Sequence, residues 1–154
     1  MAGKHGWNDL ENYLSVLPRV VSDHPFVVGH ELQIEPIVDD HGEIFGPVFC
    51  HEDITVDVLK HFEVRRNSER LDARTTKYAY HAGFSDGRRI LRYDSLDHHG
   101  FSTPHHRHTF ERLLVEDEDG QVSHVGDNWP HLSEVLDELR GMFWAKGGSA
   151  NAGG

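Results

Sequence analysis

At 154 residues, with 37% apolar residues that include three Trp, eight Phe and four Tyr, the chain suits one domain with one modest core. A formal charge of −11 excludes a broad nucleic-acid surface, because phosphate contacts need cations. No apolar run is long enough to span a bilayer and residues 1–12 lack an apolar signal core, so the expected location is the cytoplasm, with no membrane partner. In chain order, Asn8 or Asp9 can cap a first helix, whose Leu10, Tyr13, Leu14 and Leu17 follow i, i+3, i+4, i+7 spacing. Pro18 is expected to end or bend it. His30, Leu32, Ile34 and Val38 alternate with Glu31, Gln33 and Glu35, the pattern of a half-buried strand, and residues 39–42 form a turn. Ile44 to Cys50 reads as a short strand that Gly46 and Pro47 push to the sheet edge. Ile54, Val56, Val58, Phe62 and Val64 mark the clearest long strand, and residues 67–74 read as a polar loop.

The strongest local signal follows. Residues 75–84 and 89–95 flank Ser85-Asp86-Gly87-Arg88, and an Asp-Gly pair between strands favours a two-residue type I′ hairpin. That turn sets a register: Ser85 faces Arg88, Ala82 faces Leu91, His81 faces Arg92, Tyr80 faces Tyr93 and Ala79 faces Asp94. By alternation, Tyr78, Tyr80, Ala82, Leu91 and Tyr93 share an aromatic face expected to be core. Lys77, His81, Arg92 and Asp94 share a charged face expected to be functional. A loop rich in histidine comes next, then a second hairpin over 111–125 turned at Asp119-Gly120. A last helix is capped near Asn128, carries Pro130 in its first turn and shows Leu132, Val135, Leu136, Leu139 and Phe143 as its stripe. Residues 1–146 make one domain, and 147–154 have the composition of a disordered tail. The predicted fold is α+β: an antiparallel β-sheet of about five or six strands with an N-terminal and a C-terminal helix.

Chemistry concentrates in the histidine segment. Five of the fourteen histidines, His98, His99, His105, His106 and His108, fall within eleven residues, close to Arg92, Asp94 and Arg107. Histidine gives and takes protons near neutrality, and it is also the commonest ligand for borderline metals. Two readings stay open. One is a metal site, with zinc held by His99, His106 and His108. Because Cys50 stands alone, such a site depends on His and carboxylates. The other is metal-free acid–base cleavage of RNA, which needs no cofactor. In that reading His81 and the loop histidines transfer protons, Arg92 grips phosphate, Asp94 orients a histidine or holds Arg92, and Lys77 and Arg107 bind substrate. Ten of the fifteen cations lie in residues 65–112, so a small RNA site fits inside an acidic body. Four Lys against eleven Arg, with abundant acids, also suggest a salt-adapted, halophilic host.

The segments Tyr78-Ala79-Tyr80-His81, Asp86-Gly87, Arg92-Tyr93-Asp94, His98-His99 and Pro104-His105-His106-Arg107-His108 occur in that order. Together they resemble the TumE family of toxin–antitoxin proteins over roughly residues 75–108. Ser95 and Leu96 depart from the family's usual residues, and the first fifty residues read as additions or divergent sequence. The resemblance implies a toxin encoded beside a helix-turn-helix antitoxin that binds and neutralises it. The RNA-cleaving (endoribonuclease) activity comes from the side-chain chemistry. The rival reading is a protein that binds a metal or an anion through its histidines without catalysis.

Overall fold

The computed structural model describes residues 6–95, 106–109, 121–124 and 129–144. They form an α+β fold in which every strand pairing is antiparallel. The order is β1 (Asn8–Asp9), α1 (Leu10–Asp23), β2 (Val27–His30), β3 (Gln33–Val38), β4 (His41–Cys50), β5 (Ile54–Asn67), β6 (Arg70–Phe84), β7 (Arg89–Asp94), β8 (His106–Thr109), β9 (Gln121–His124) and α2 (Leu132–Phe143). Among the described residues the sheet runs β2-β4-β5-β6-β7-β8-β9, with β3 also on β4 and the short β1 on β6. The helix at each end of the chain and the antiparallel sheet are as the sequence predicts. The higher strand number comes from very short strands and from two pieces sharing one edge.

Helix α1 begins at Asp9, whose carboxylate accepts from the Asn12 backbone N–H at 3.1 Å. It does not stop at Pro18. Leu17 and Val21 on either side of the proline are both buried, and that packing carries the helix on to Asp23. Helix α2 starts at His131 rather than Asn128. The Glu134 carboxylate accepts from the His131 N–H at 2.9 Å, and Pro130 lies just before the cap. Leu132, Val135, Leu136 and Leu139 are buried against the sheet, as their spacing predicts.

Several strand expectations need correction. β4 is not an edge strand: it runs between β5 and the β2/β3 pair. Gly46 sits at φ +137, where a Cβ would lie 2.3 Å from the Glu31 carbonyl oxygen. Pro47, which has no N–H to give, lies opposite the break between β2 and β3, where its carbonyl accepts from Glu31 at 2.9 Å. The interruption therefore falls in the partner, and β4 stays continuous. β3 is exposed along its whole length rather than half-buried. Residues 67–74 are not a loop. Asn67 pairs with Arg70, Ser68 takes φ +59, and β5 and β6 form one long hairpin whose tip extends past the core. Residues 65–71 are exposed on both sides, and the buried pair that follows, Asp72 and Ala73, starts with a carboxylate, so no apolar alternation marks the tip as strand.

The turn after β6 also differs in type. Only Gly87 has positive φ, Gly87 N donates to the Phe84 carbonyl at 3.0 Å, and Phe84 N donates to that of Arg88 at 2.8 Å. This is a three-residue loop with a left-handed glycine, not a type I′ turn, so Ser85 does not face Arg88. The one-residue offset is absorbed by a bulge between Ala82 and Gly83, and beyond it the pairs 82/91, 81/92, 80/93 and 79/94 fall as predicted. The bulge leaves the consecutive Ile90 and Leu91 both buried. The type I′ geometry appears instead at Asp39-Asp40, both with positive φ between paired Val38 and His41.

The core lies between one sheet face and the helices. Val56, Val58, Phe62, Tyr78, Tyr80, Ala82, Leu91 and Tyr93 meet Leu17, Val21 and the α2 stripe. Trp129 stacks on Tyr78 at 4.1 Å and Phe143 meets Phe84 edge-on at 5.5 Å. The aromatic face of the hairpin is therefore core, as alternation predicts. Among the described residues no helix is long and apolar enough to cross a membrane.

Candidate functional site

Three strand registers build the far face of the sheet. His81 on β6 pairs with Asp57 on β5 and with Arg92 on β7, and Arg92 pairs with His108 on β8. One step along, Ala79 pairs with Asp94, Asp94 with His106, and His106 with His124 on β9. Because residues directly opposite one another lie on the same face, these positions form two adjacent rows on the side away from the helices. Strands lie about 4.8 Å apart, so the His81 and His108 backbone positions sit roughly 10 Å apart with Arg92 between them. The segment 106–109, expected as loop, is thus strand, with His106 and His108 at alternate positions along it.

Within the rows the side chains of β6 and β7 are well defined. Asp94 is completely buried, and its Oδ2 lies 2.9 Å from Arg92 Nε, while Arg92 keeps 22% exposure. The buried carboxylate and the partly exposed guanidinium form an ion pair that holds the arginine on this face. His81 is half-buried and Lys77 exposed on the same face. Next to Lys77, His61 Nδ1 is 3.1 Å from Glu43. Toward β4 the face becomes acidic and apolar: Glu43, Asp57, Phe45 and Leu59 line a shallow hollow. The cations of this face, Lys77 and Arg92, thus lie on β6 and β7, and the acidic residues lie toward β4.

Arg107 is placed apart from its histidine neighbours. It faces the helices, where its Nε donates to the Tyr93 hydroxyl at 2.9 Å and its guanidinium pairs with Glu138 of α2. Tyr93 in turn donates to Glu138 at 2.8 Å, and burial pushes its pKa up to about 12. Burial likewise pushes the Cys50 thiol up to about 12, which removes it as a nucleophile near neutrality. His98, His99 and His105 lie outside the described residues, as does the tail 147–154. Among the described residues no group of three or more His, Cys, Asp or Glu is placed to hold a metal ion.

Two residues went unremarked in the sequence. His124 lies on β9 opposite His106, a placement that becomes visible only when β8 and β9 are paired. Lys60 occupies an inward position between Val58 and Phe62, and its signal was present: it stands in phase with the apolar residues of β5.

The family model described as Toxin TumE matches residues 19–142, which takes in the final helix and much of the first fifty residues that looked like additions. No curated protein and no solved structure matches the chain significantly. A match over most of the length joins the ordered motifs of β6 to β8 in one assignment: the chain belongs to the TumE family, the toxins of toxin–antitoxin systems, and such a toxin has an antitoxin as its partner.

Proposed function

We propose that the protein arrests growth by cleaving RNA without a metal ion, using the rows centred on Arg92. The observation that carries this reading is the register His81–Arg92–His108, two imidazole positions on either side of a guanidinium. In the reaction one histidine takes the proton of a ribose 2′-hydroxyl. The freed oxygen attacks the adjacent phosphorus, the bond to the 5′-oxygen breaks, and the opposite histidine protonates that leaving oxygen. The products are a 2′,3′-cyclic phosphate and a 5′-hydroxyl. Arg92, oriented by Asp94, spreads the charge of the phosphorane over two hydrogen bonds, and one such donor is worth roughly 10²–10³ in rate. To the same reaction we assign His98, His99, His105 and His106 as further proton donors and acceptors, and Lys77 to substrate binding. Arg107 acts by holding α2 to the sheet rather than by touching RNA. The antitoxin, of helix-turn-helix type, silences the toxin by covering this face in the cytoplasm.

The test is expression without the antitoxin, followed by purification and incubation with cellular RNA in EDTA. The expected result is fragmentation, with growth arrest relieved by His106→Ala and Arg92→Lys. Intact RNA from a folded sample overturns the proposal. Activity restored only by a stoichiometric metal ion would favour a metal site at His106 and His108 instead.

A further inference from the structure

On the opposite face, away from the histidine rows, a cavity of about 280 Å³ opens beneath α1. It sits between the side of α1, strands β5 and β6 and the first residues of α2. Its walls are mostly apolar, from Val16, Val20 and Leu132, and its polar groups include Tyr13, Thr75 and Lys60. Lys60 is the anomaly. Even-numbered residues of β5 point into the core, so Lys60 lies in the row of Val58 and Phe62. Among the described residues no carboxylate or other acceptor pairs with its ammonium group, which lies 5.4 Å from the centroid of the Tyr13 ring. Tyr13 and Thr75 share one hydrogen bond of 2.7 Å. Burial pushes the Tyr13 phenol up to about 12 and the Lys60 amine down to about 8. Near neutrality the phenol is thus uncharged and the amine still carries its proton, which leaves one positive charge on the wall.

A partly buried cation in an apolar wall, with no carboxylate beside it, is costly unless something supplies the missing charge. The N-terminal end of α2 at the mouth adds to the positive potential. One cation among apolar walls matches a single negative charge on an apolar body, not a phosphate dianion, which needs several donors. The volume is roughly that of nine liquid-phase waters, room for a ligand of about eight to ten non-hydrogen atoms. We infer that this cavity is a binding site for a small monocarboxylate with an aliphatic body, its carboxylate on Lys60 and its chain against Val16, Val20 and Leu132. With a net charge of −11 the protein repels anions from its surface, so saturable uptake of one marks a built site.

The test uses hexanoate, with 1-hexanol as the uncharged analogue of the same length, titrated into the full chain and followed by amide chemical shifts. Hexanoate should bind saturably, shift residues of α1 and β5, and bind about tenfold or more tighter than hexanol, the value of one charge-assisted hydrogen bond. Lys60→Met should erase that preference while hexanol binding stays within about twofold. A second measurement needs no variant. Above pH 8 hexanoate should draw a proton onto Lys60, so the calorimetric binding heat should depend on the buffer's own ionisation heat. The other titratable groups at the cavity are Tyr13 on α1 and His131 at the start of α2. His131 is exposed, and the raised Tyr13 phenol lies above that window. No saturation with hexanoate at millimolar concentration overturns the inference. So does equal affinity for hexanol, a preference that survives in Lys60→Met, or binding above pH 8 without proton uptake.

Discussion

Arg92 on β7 and Arg107 on β8 are both held by a carboxylate, but they belong to opposite sides of the sheet. Arg107 reaches toward α2 and, with Glu138 and Tyr93, fastens the helix to β7 and β8. Arg92 turns away from the helices and meets Asp94 of its own strand, between the positions of His81 and His108. The arginine that sits inside the histidine cluster in sequence thus points to α2. The functional candidate lies upstream, before the cluster begins. Pleating separates what the sequence places together, so neighbourhood in the chain is a poor guide to membership of a site, whereas phase along paired strands is a good one.

That contrast can be broken or sharpened by substitution. The largest effect is expected on the far face: His81→Ala should lower RNA cleavage by roughly 10²–10⁴ while the melting temperature moves little. Arg92→Lys keeps a charge beside buried Asp94 and should act in the same direction. Arg92→Ala is a poorer test, because it leaves that carboxylate without its cation. If His81→Ala unfolds the protein, the division between faces fails. Beneath the helices, Phe62→Ala should cost about 3–5 kcal/mol of stability, since the ring is fully buried, and activity should fall only through unfolding.

Smaller effects separate the two arginines. Glu138→Gln should cost about 1–3 kcal/mol and leave the cleavage rate of folded protein unchanged. A lost rate at unchanged stability would move Arg107 into the site. The smallest and most pH-specific effect belongs to Lys60. Its pKa is about 8 when folded against an ordinary 10.5, so the unfolded chain holds this proton more tightly. Below pH 8 both states are protonated and the cost of burying the charge is complete. Between pH 8 and 10.5 the folded state has released the proton, and the cost fades. Lys60→Met should therefore be more stable than the parent at pH 7, with the gap closing toward pH 10. A gap that does not change with pH would mean that the amine is solvated in the folded protein.

Much of this is legible in the sequence alone. The stripe Leu10, Leu14 and Leu17, the α2 stripe and the pairing of His81 with Arg92 follow from periodicity and from a turn signal. The turn type is not legible in the sequence, because Asp-Gly serves both a two-residue loop and a three-residue loop with a left-handed glycine. The β6 to β7 pairing survived only because a bulge restored it. The tip of the β5–β6 hairpin was hidden because it projects beyond the core, where neither face needs apolar residues. β4 was misplaced because Gly46 and Pro47 are usual at edges, and no sequence pattern shows that the partner breaks there instead. The strand character of 106–109 was hidden by its polarity: only Arg107 and Thr109 face the helices, and the alternating positions are histidines.

The ends of the RNA fragments test the central claim most directly. Two histidine positions flanking Arg92, acting through the substrate's own 2′-hydroxyl, leave 2′,3′-cyclic phosphates and 5′-hydroxyls, formed in EDTA by the parent protein and not by His81→Ala. Fragments ending in 3′-hydroxyls and 5′-phosphates, or fragments that require an added metal ion, would contradict the account.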